Sequence, residues 1–363
     1  MKNYATPSGT SEYKDLMKRE KNIHADHFRR FETLELSSLG MGTYLGKPKD
    51  YVDQLVIDAV IKSIQNGINI IDTAINYRHQ KAERSIRIAL EKLNKMGFTR
   101  DQIFISTKNG YIPGDADEGL NSSEYIKNVV LKNDLATSKD IINYNCTTIP
   151  YLNHQLDQSL ENLGISTIDL LYLHNVAESQ KETLGDARFY EMMEKCFSFL
   201  ENKIDDQKIR FYGMATWTCF RLEKSSPSYI NLERIIDIAE KAAKRVGHKS
   251  SGFKFVMLPY NLLMQEAATL RNQDGKTFFQ KARELNIGVF TAVPLLQGKL
   301  LRTREIKELQ IKWDLNSPAQ AAIQYVRSFG IPLIAPLVGQ KQPEHVEENL
   351  EIVRIPPSED IKR

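Results

Sequence analysis

Cysteine is scarce in this chain of 363 residues: Cys146, Cys196 and Cys219 are the full set, far apart and with no C-x-x-C spacing. So sparse and odd a set argues against a disulfide framework and predicts reduced thiols in a cytoplasmic protein. Long apolar runs are missing too. Nothing approaches the ~18 consecutive apolar residues that a membrane-spanning helix requires, and the opening segment MKNYATPSGTSEYKDLMKREKNIHADHFRR lacks the apolar stretch of a secretory signal. Neither sign of charge dominates. Lys and Arg number 49 against 46 Asp and Glu, a formal net charge of +3, so no field points to nucleic acid or to a membrane surface as partner. There is no glycine-rich dinucleotide loop. None of the seven histidines stands in the H-x-H pair of metal-dependent barrel hydrolases, and no metal site is expected.

What is present is globular composition, 41% hydrophobic and 26% charged. After a polar stretch over residues 1–32, expected to be an irregular arm or a lid on the bottom of the fold, one pattern recurs. A short apolar or β-branched run is followed by a polar loop and a helical stretch. The runs lie at 36–44, 68–74, 103–108, 168–174, 209–216, 253–261, 287–293 and 331–338. Eight of them, separated by amphipathic segments such as YVDQLVIDAVIKSIQ and SPAQAAIQYVRSFG, predict an α/β protein. The expected fold is a (β/α)8 TIM barrel over residues 33–363. An open doubly wound sheet is the rival, which the count of units and the missing glycine loop disfavour. One connection is abnormally long, an insertion over residues 109–150 after the third strand, placed to cover the active-site face.

Three consecutive runs end in ionisable side chains: INIID at Asp72, IFISTK at Lys108 and IDLLYLH at His174, with Tyr77 five residues after Asp72. Neighbouring strands lie ~4.8 Å apart, so these groups converge at one side of a barrel mouth. The set suits carbonyl reduction. A neutral tyrosine can give the proton that a nascent alkoxide needs, and a nearby Lys⁺ is expected to lower the phenol's pKa. Asp72 would hold Lys108, and His174 would orient the carbonyl oxygen. Taken as two residues alone, Asp72 and Lys108 equally suit a structural ion pair at the rim.

The segments GINIIDTAINY, ISTKNG and IDLLYLHN resemble motifs of the aldo-keto reductase superfamily of NAD(P)H-dependent barrels. SSLGMGTYLG, IRFYGMAT, PYNLL, VPLLQGKLL, SPAQAAIQYV and PEHVEENL extend the likeness, in order, from about residue 36 to 353. The resemblance implies a catalytic tetrad of Asp72, Tyr77, Lys108 and His174, with Tyr77 as general acid. It implies a cofactor cleft built from Gly42, Thr43, Tyr44, Asp72, Thr216, Met257, Pro294, Leu295, Lys299, Gly339, Lys341, His345, Glu348 and Asn349. Ala215 and Thr216 stand where the family commonly has a Ser-Asn pair on the carboxamide, Met257 where it has glutamine, and Ala292 where an aromatic ring stacks on the nicotinamide. His345 stands where an arginine often clamps the 2′-phosphate and gives up that residue's bidentate fork and permanent charge, so the resemblance implies no more than a lean to NADP(H) over NAD(H).

The expected activity is interconversion of an aldehyde, ketone or sugar-like carbonyl with its alcohol. The alternative is a catalytically weak barrel that binds nicotinamide as a regulatory or interaction subunit; a third reading is an isomerase or lyase without net redox. Specificity would come from loops at 109–150, 175–190 and 297–316. Arg78 and His79, beside Tyr77, are candidates to meet an anionic or polyhydroxy substrate.

Overall fold

The computed structural model describes residues 3–361. Twelve strands and twelve α-helices follow one another: α1 (Pro7–Lys21), β1 (Phe28–Phe31), β2 (Leu34–Ser37), β3 (Gly40–Gly42), α2 (Asp50–Ile64), β4 (Ile70–Asp72), α3 (Lys81–Lys95) and β5 (Phe104–Asn109). Next come α4 (Ser122–Tyr125), β6 (Ile141–Ile142), β7 (Asn145–Cys146), α5 (Ile149–Leu163), β8 (Ile168–His174), α6 (Val176–Asp205), β9 (Ile209–Ala215), α7 (Leu232–Arg245) and β10 (Phe253–Pro259). The chain closes with α8 (Glu266–Thr269), α9 (Phe278–Glu284), β11 (Gly288–Ala292), α10 (Arg304–Lys312), α11 (Pro318–Arg327), β12 (Leu333–Gly339) and α12 (Pro343–Glu351).

Eight of the strands close into a parallel barrel in the order β3-β4-β5-β8-β9-β10-β11-β12, and β12 pairs back to β3. The fold is therefore a (β/α)8 barrel. Its strands carry no in-out alternation of polarity: every residue of FISTKN in β5 and of IDLLYLH in β8 is buried. Parallel strands covered by helices and filled from within need apolar side chains on both faces. Phe104, Phe255 and Phe290 meet inside, with the Phe255 and Phe290 rings stacked at 5.7 Å. Strands β9 and β10 approach so closely that a Cβ on Gly213 would lie 1.9 Å from the Phe255 carbonyl oxygen. The helices start where their sequences say they should. Ser317 caps α11 ahead of Pro318, accepting from the Gln320 N–H at 3.2 Å.

Of the expected arm over 1–32, residues 1 and 2 lie outside the described residues, and the rest is not irregular. Thr6 and Pro7 start helix α1, whose inner face buries Tyr13 and Met17, and the Tyr13 hydroxyl donates to the Ile64 carbonyl at 2.5 Å. The polar composition concealed this because only one narrow stripe of the helix is apolar. After it, β1 and β2 form an antiparallel hairpin that stoppers the barrel, with Phe31 5.1 Å from the Phe255 ring. The run at 36–44 is accordingly two elements: β2 ends at Ser37 and barrel strand β3 begins at Gly40. Within 109–150, α4 leads into a wider turn over Ile126–Leu131, and β6 pairs with β7. Ile112, Tyr125, Val130, Cys146 and Tyr151 give this segment its own small core. The stretch 175–190, expected as a loop, is the first half of α6, which kinks at Gly185 (φ 70°).

Candidate active site

The C-terminal ends of β4, β5 and β8 lie side by side, with Asp72 paired to Ser106 and Lys108 to Tyr172 in the ladder. Lys108 points its ammonium at Asp72 Oδ2 (2.7 Å) and at the Thr73 carbonyl (2.7 Å), while Ser106 Oγ donates to the other carboxylate oxygen at 2.7 Å. The turn after β4 returns Tyr77 over this pair, with Lys108 Nζ 4.8 Å from its ring centroid. The rings of Tyr77 and His174 stand 6.1 Å apart, edge to face. The four residues marked in the sequence thus form one cluster.

Burial sets the electrostatics. It pushes the Tyr77 phenol above its ordinary value, and the opposing pull of Lys108 does not offset it. The expectation that Lys108 lowers the phenol's pKa below that of a free tyrosine is reversed here, because desolvation is the larger effect. Burial draws Lys108 down, but Asp72 and Tyr77 more than compensate and hold it cationic. His174 lies well below the usual imidazole range, first through burial and second through Lys108, so its ring is neutral at neutral pH; its Nδ1 has no partner. A neutral phenol, a fixed cation and a neutral imidazole can polarise and protonate an oxygen placed between them.

The cluster forms the floor of a cavity of about 650 Å³. Gly42, Thr43, Tyr44, Thr216, Met257, Pro294, Leu295, Gly339, His345, Glu348 and Asn349 line it, as do Ala215 and Ala292. Lys299 and Lys341 do not: Lys299 is exposed on the loop after β11, and Lys341 is half-buried just beyond β12. Arg78 also departs from expectation. It turns inward, its guanidinium bonded to Asp53 and to Ser85 Oγ (3.0 Å). His79 Nδ1 accepts from the Gly114 N–H at 3.1 Å, which ties the Tyr77 turn to the insertion. Sequence reasoning missed Asn76, Tyr111, Asn175 and Trp217 on the cavity wall. Three of them directly flank Tyr77, His174 and Thr216, which is the signal that would have found them. Tyr111 sits in the insertion, and its ring meets His174 edge-on at 5.0 Å.

The residues present fit a nicotinamide dinucleotide. The Thr216 hydroxyl donates to the Met257 carbonyl at 3.0 Å, which leaves its oxygen to accept from a carboxamide N–H. At the far end, Asn349 donates to Gln340 at 3.0 Å while its buried Oδ1 has no partner, an acceptor open to an amino group such as that of adenine.

A closed (β/α)8 barrel carries a phenol, a fixed cation and an imidazole together at its mouth, a set that suits proton transfer to a carbonyl oxygen. The profile of the Aldo/keto reductase family matches residues 38–362, and the chain belongs to that family. It is an NAD(P)H-dependent oxidoreductase acting on small-molecule carbonyls. The chain is 27% identical to the NADH-specific methylglyoxal reductase of Escherichia coli over 149 residues, 39% of each protein. It is 22% identical to the L-glyceraldehyde 3-phosphate reductase of the same species over 312 residues, 76% of this chain and 81% of the other. Among solved structures it superposes on the glycerol dehydrogenase of Gluconobacter oxydans with a TM-score of 0.62 at 18% identity, covering 91% and 90% of the two chains. An aldo/keto reductase of Klebsiella pneumoniae in complex with NADP and acetate gives a TM-score of 0.58 at 17% identity, covering 93% of each. No helix among the described residues is long and apolar enough to cross a membrane.

Proposed function

We propose that this protein reduces a carbonyl to an alcohol with Tyr77 as general acid, and that NADP(H) is its preferred cofactor. The observation that carries the reading is the Asp72–Lys108 pair, packed under the Tyr77 ring and beside His174 on the cavity floor. One hydride and one proton balance the reaction. When bound, the nicotinamide supplies the hydride that enters at the carbonyl carbon. Tyr77 gives its proton to the oxygen, and the raised phenol pKa keeps that proton available at neutral pH. Lys108 stabilises the phenolate left behind, and Asp72 fixes Lys108 in place. Neutral His174 orients the substrate oxygen by hydrogen bonding.

The loss of ring-stacking and carboxamide contacts at Ala215, Met257 and Ala292 speaks for the alternative, a barrel that binds cofactor without turnover. Against it stands the intact geometry of the proton-donating cluster. Following NAD(P)H absorbance with a panel of aldehydes, ketones and sugars decides between them. Wild type should turn over, and Tyr77→Phe should lose about 10²–10⁴-fold in kcat; cofactor binding with no turnover in either protein would sink the enzyme reading. Lys341, just outside the cavity wall after β12, supports the NADP(H) preference as a cation near its far end, whereas His345 lacks the fork and permanent charge of an arginine. Lys341→Glu should weaken NADPH binding while sparing NADH. A reducing, cytoplasmic setting accords with three free, buried cysteines.

A further inference from the structure

Among the described residues, the cavity wall above Tyr77 has no cation to spare. Lys108 is committed to Asp72 and the Thr73 carbonyl. Arg78 faces Asp53, and Arg221, behind the Trp217 loop, pairs with Glu266 at 2.7 Å. The remaining ionisable side chains of the lining, His345 and Glu348, stand on α12 at the far end of the cavity. A phosphate carried into this space would shed its water without gaining a partner, which is strongly unfavourable.

The wall offers aromatic faces and amides instead. Trp217 is 43% exposed although it lines the cavity, and its loop is clamped: Glu178 Oε1 accepts the backbone N–H groups of Trp217, Thr218 and Cys219 at 2.7, 2.6 and 3.1 Å. Tyr111 is fixed as well, its hydroxyl accepting from Ser179 Oγ at 3.1 Å. Two amides line the same cavity. Asn76 Oδ1 is buried and unpartnered. Asn175 occupies the N-cap position of α6, where an asparagine normally bonds the first helical N–H groups, yet its side chain makes no cap bond and lines the cavity. An aryl aldehyde would cover the rings, leave the buried Asn76 Oδ1 unpaired and strip the half-buried Asn175 amide of water; a plain alkyl aldehyde would use neither feature.

We propose that the substrate is an uncharged polyhydroxylated carbonyl, an unphosphorylated sugar, lying against Trp217 and Tyr111 with hydroxyls bonded to Asn76 and Asn175. The inference rests on the reductase reading and deepens it.

Matched probes test it: erythrose against erythrose 4-phosphate and benzaldehyde, with propanal reporting reduction as such. In wild type, kcat/KM for erythrose should exceed that for the phosphate and for benzaldehyde by roughly tenfold or more. Asn76→Leu and Trp217→Ala should narrow the lead over benzaldehyde. Trp217→Arg, a change at an exposed position, should raise kcat/KM for the phosphate. A wild type that prefers the phosphate or benzaldehyde, while still reducing propanal, overturns the substrate class alone. No turnover of any probe overturns the reductase reading and this inference with it.

Discussion

Replacing Lys108 by methionine separates the structural role of the buried pair from its chemical one. The Lys108 and Asp72 side chains are 1% and 6% exposed, 2.7 Å apart. Methionine keeps the volume and deletes the charge, so Asp72 is left with the Ser106 hydroxyl as its side-chain donor. Removing one partner of a buried pair costs about 3–5 kcal/mol. Asp72 can escape part of that cost by taking up a proton, and each unit of raised pKa is worth ~1.4 kcal/mol. Burial already raises Asp72 in the wild type, and the two largest opposing influences both come from Lys108. The sign follows from linkage. A carboxyl whose folded pKa exceeds its unfolded value of about 3.9 binds more protons when folded, so stability falls as pH rises through that window and levels off above the folded pKa. Lys108 itself, raised by its partners, contributes stability that is fully present below about pH 10.4 and lost only as pH rises past its folded pKa. The penalty of Lys108→Met should therefore be small near pH 5 and grow toward pH 8, read by urea denaturation at the two pH values. Lys108→Met with Asp72→Asn should regain most of the stability and none of the reduction rate. An equal penalty at both pH values, or a double variant no more stable than the single, would refute the reasoning.

The pH profile of reduction should show no inflection near the ordinary imidazole value of about 6.5, because burial and Lys108 hold His174 well below it; an inflection there would mean that His174 titrates freely. On the alkaline side, the rate should hold until the phenol ionises above about pH 10 and then fall, since reduction uses the protonated form. Glu178→Ala should release the Trp217 loop and cut kcat/KM about tenfold or more through three lost charge-assisted bonds; Glu178→Gln should restore part of it, and Trp217 fluorescence reports the loop directly. Gly213→Ala should fail to fold or lose more than about 4 kcal/mol, because the new Cβ meets the Phe255 backbone of the adjoining strand rather than a movable side chain.

The barrel was legible because its strands and helices obey different periods. Runs such as IDLLYLH and FKFVMLP are too short and too uniformly apolar for surface helices, and the segments between them repeat at helical spacing. The first strand was blurred, since LSSLGMGTY joins a hairpin strand to a barrel strand through Ser38 and Leu39 without a turn signal strong enough to divide them. Helix α1 was missed for a related reason. PSGTSEYKDLMKREK has few apolar residues, and its place depends on partners distant in the chain: the Thr6 N–H on the Asp101 carbonyl and Tyr13 on the Ile64 carbonyl.

The site divides along the same line. Asp72 and His174 end their strands and Lys108 stands one residue before the end of β5, so strand register places them without help from any loop. The residues that shape the substrate space owe their positions to contacts of long sequence separation. Trp217 is placed by Glu178, 39 residues earlier, and His174 has its carbonyl held by Asn145 of the insertion at 2.9 Å. Tyr111 meets the same imidazole edge-on from that insertion. Nor could sequence weigh burial against charge at Tyr77: both were foreseeable, but which prevails depends on how completely the fold excludes water from the phenol. The charged pair and the imidazole were thus readable from strand ends, whereas the pKa of Tyr77 and the shape of the space above it belong to the turns and loops that close over the barrel mouth.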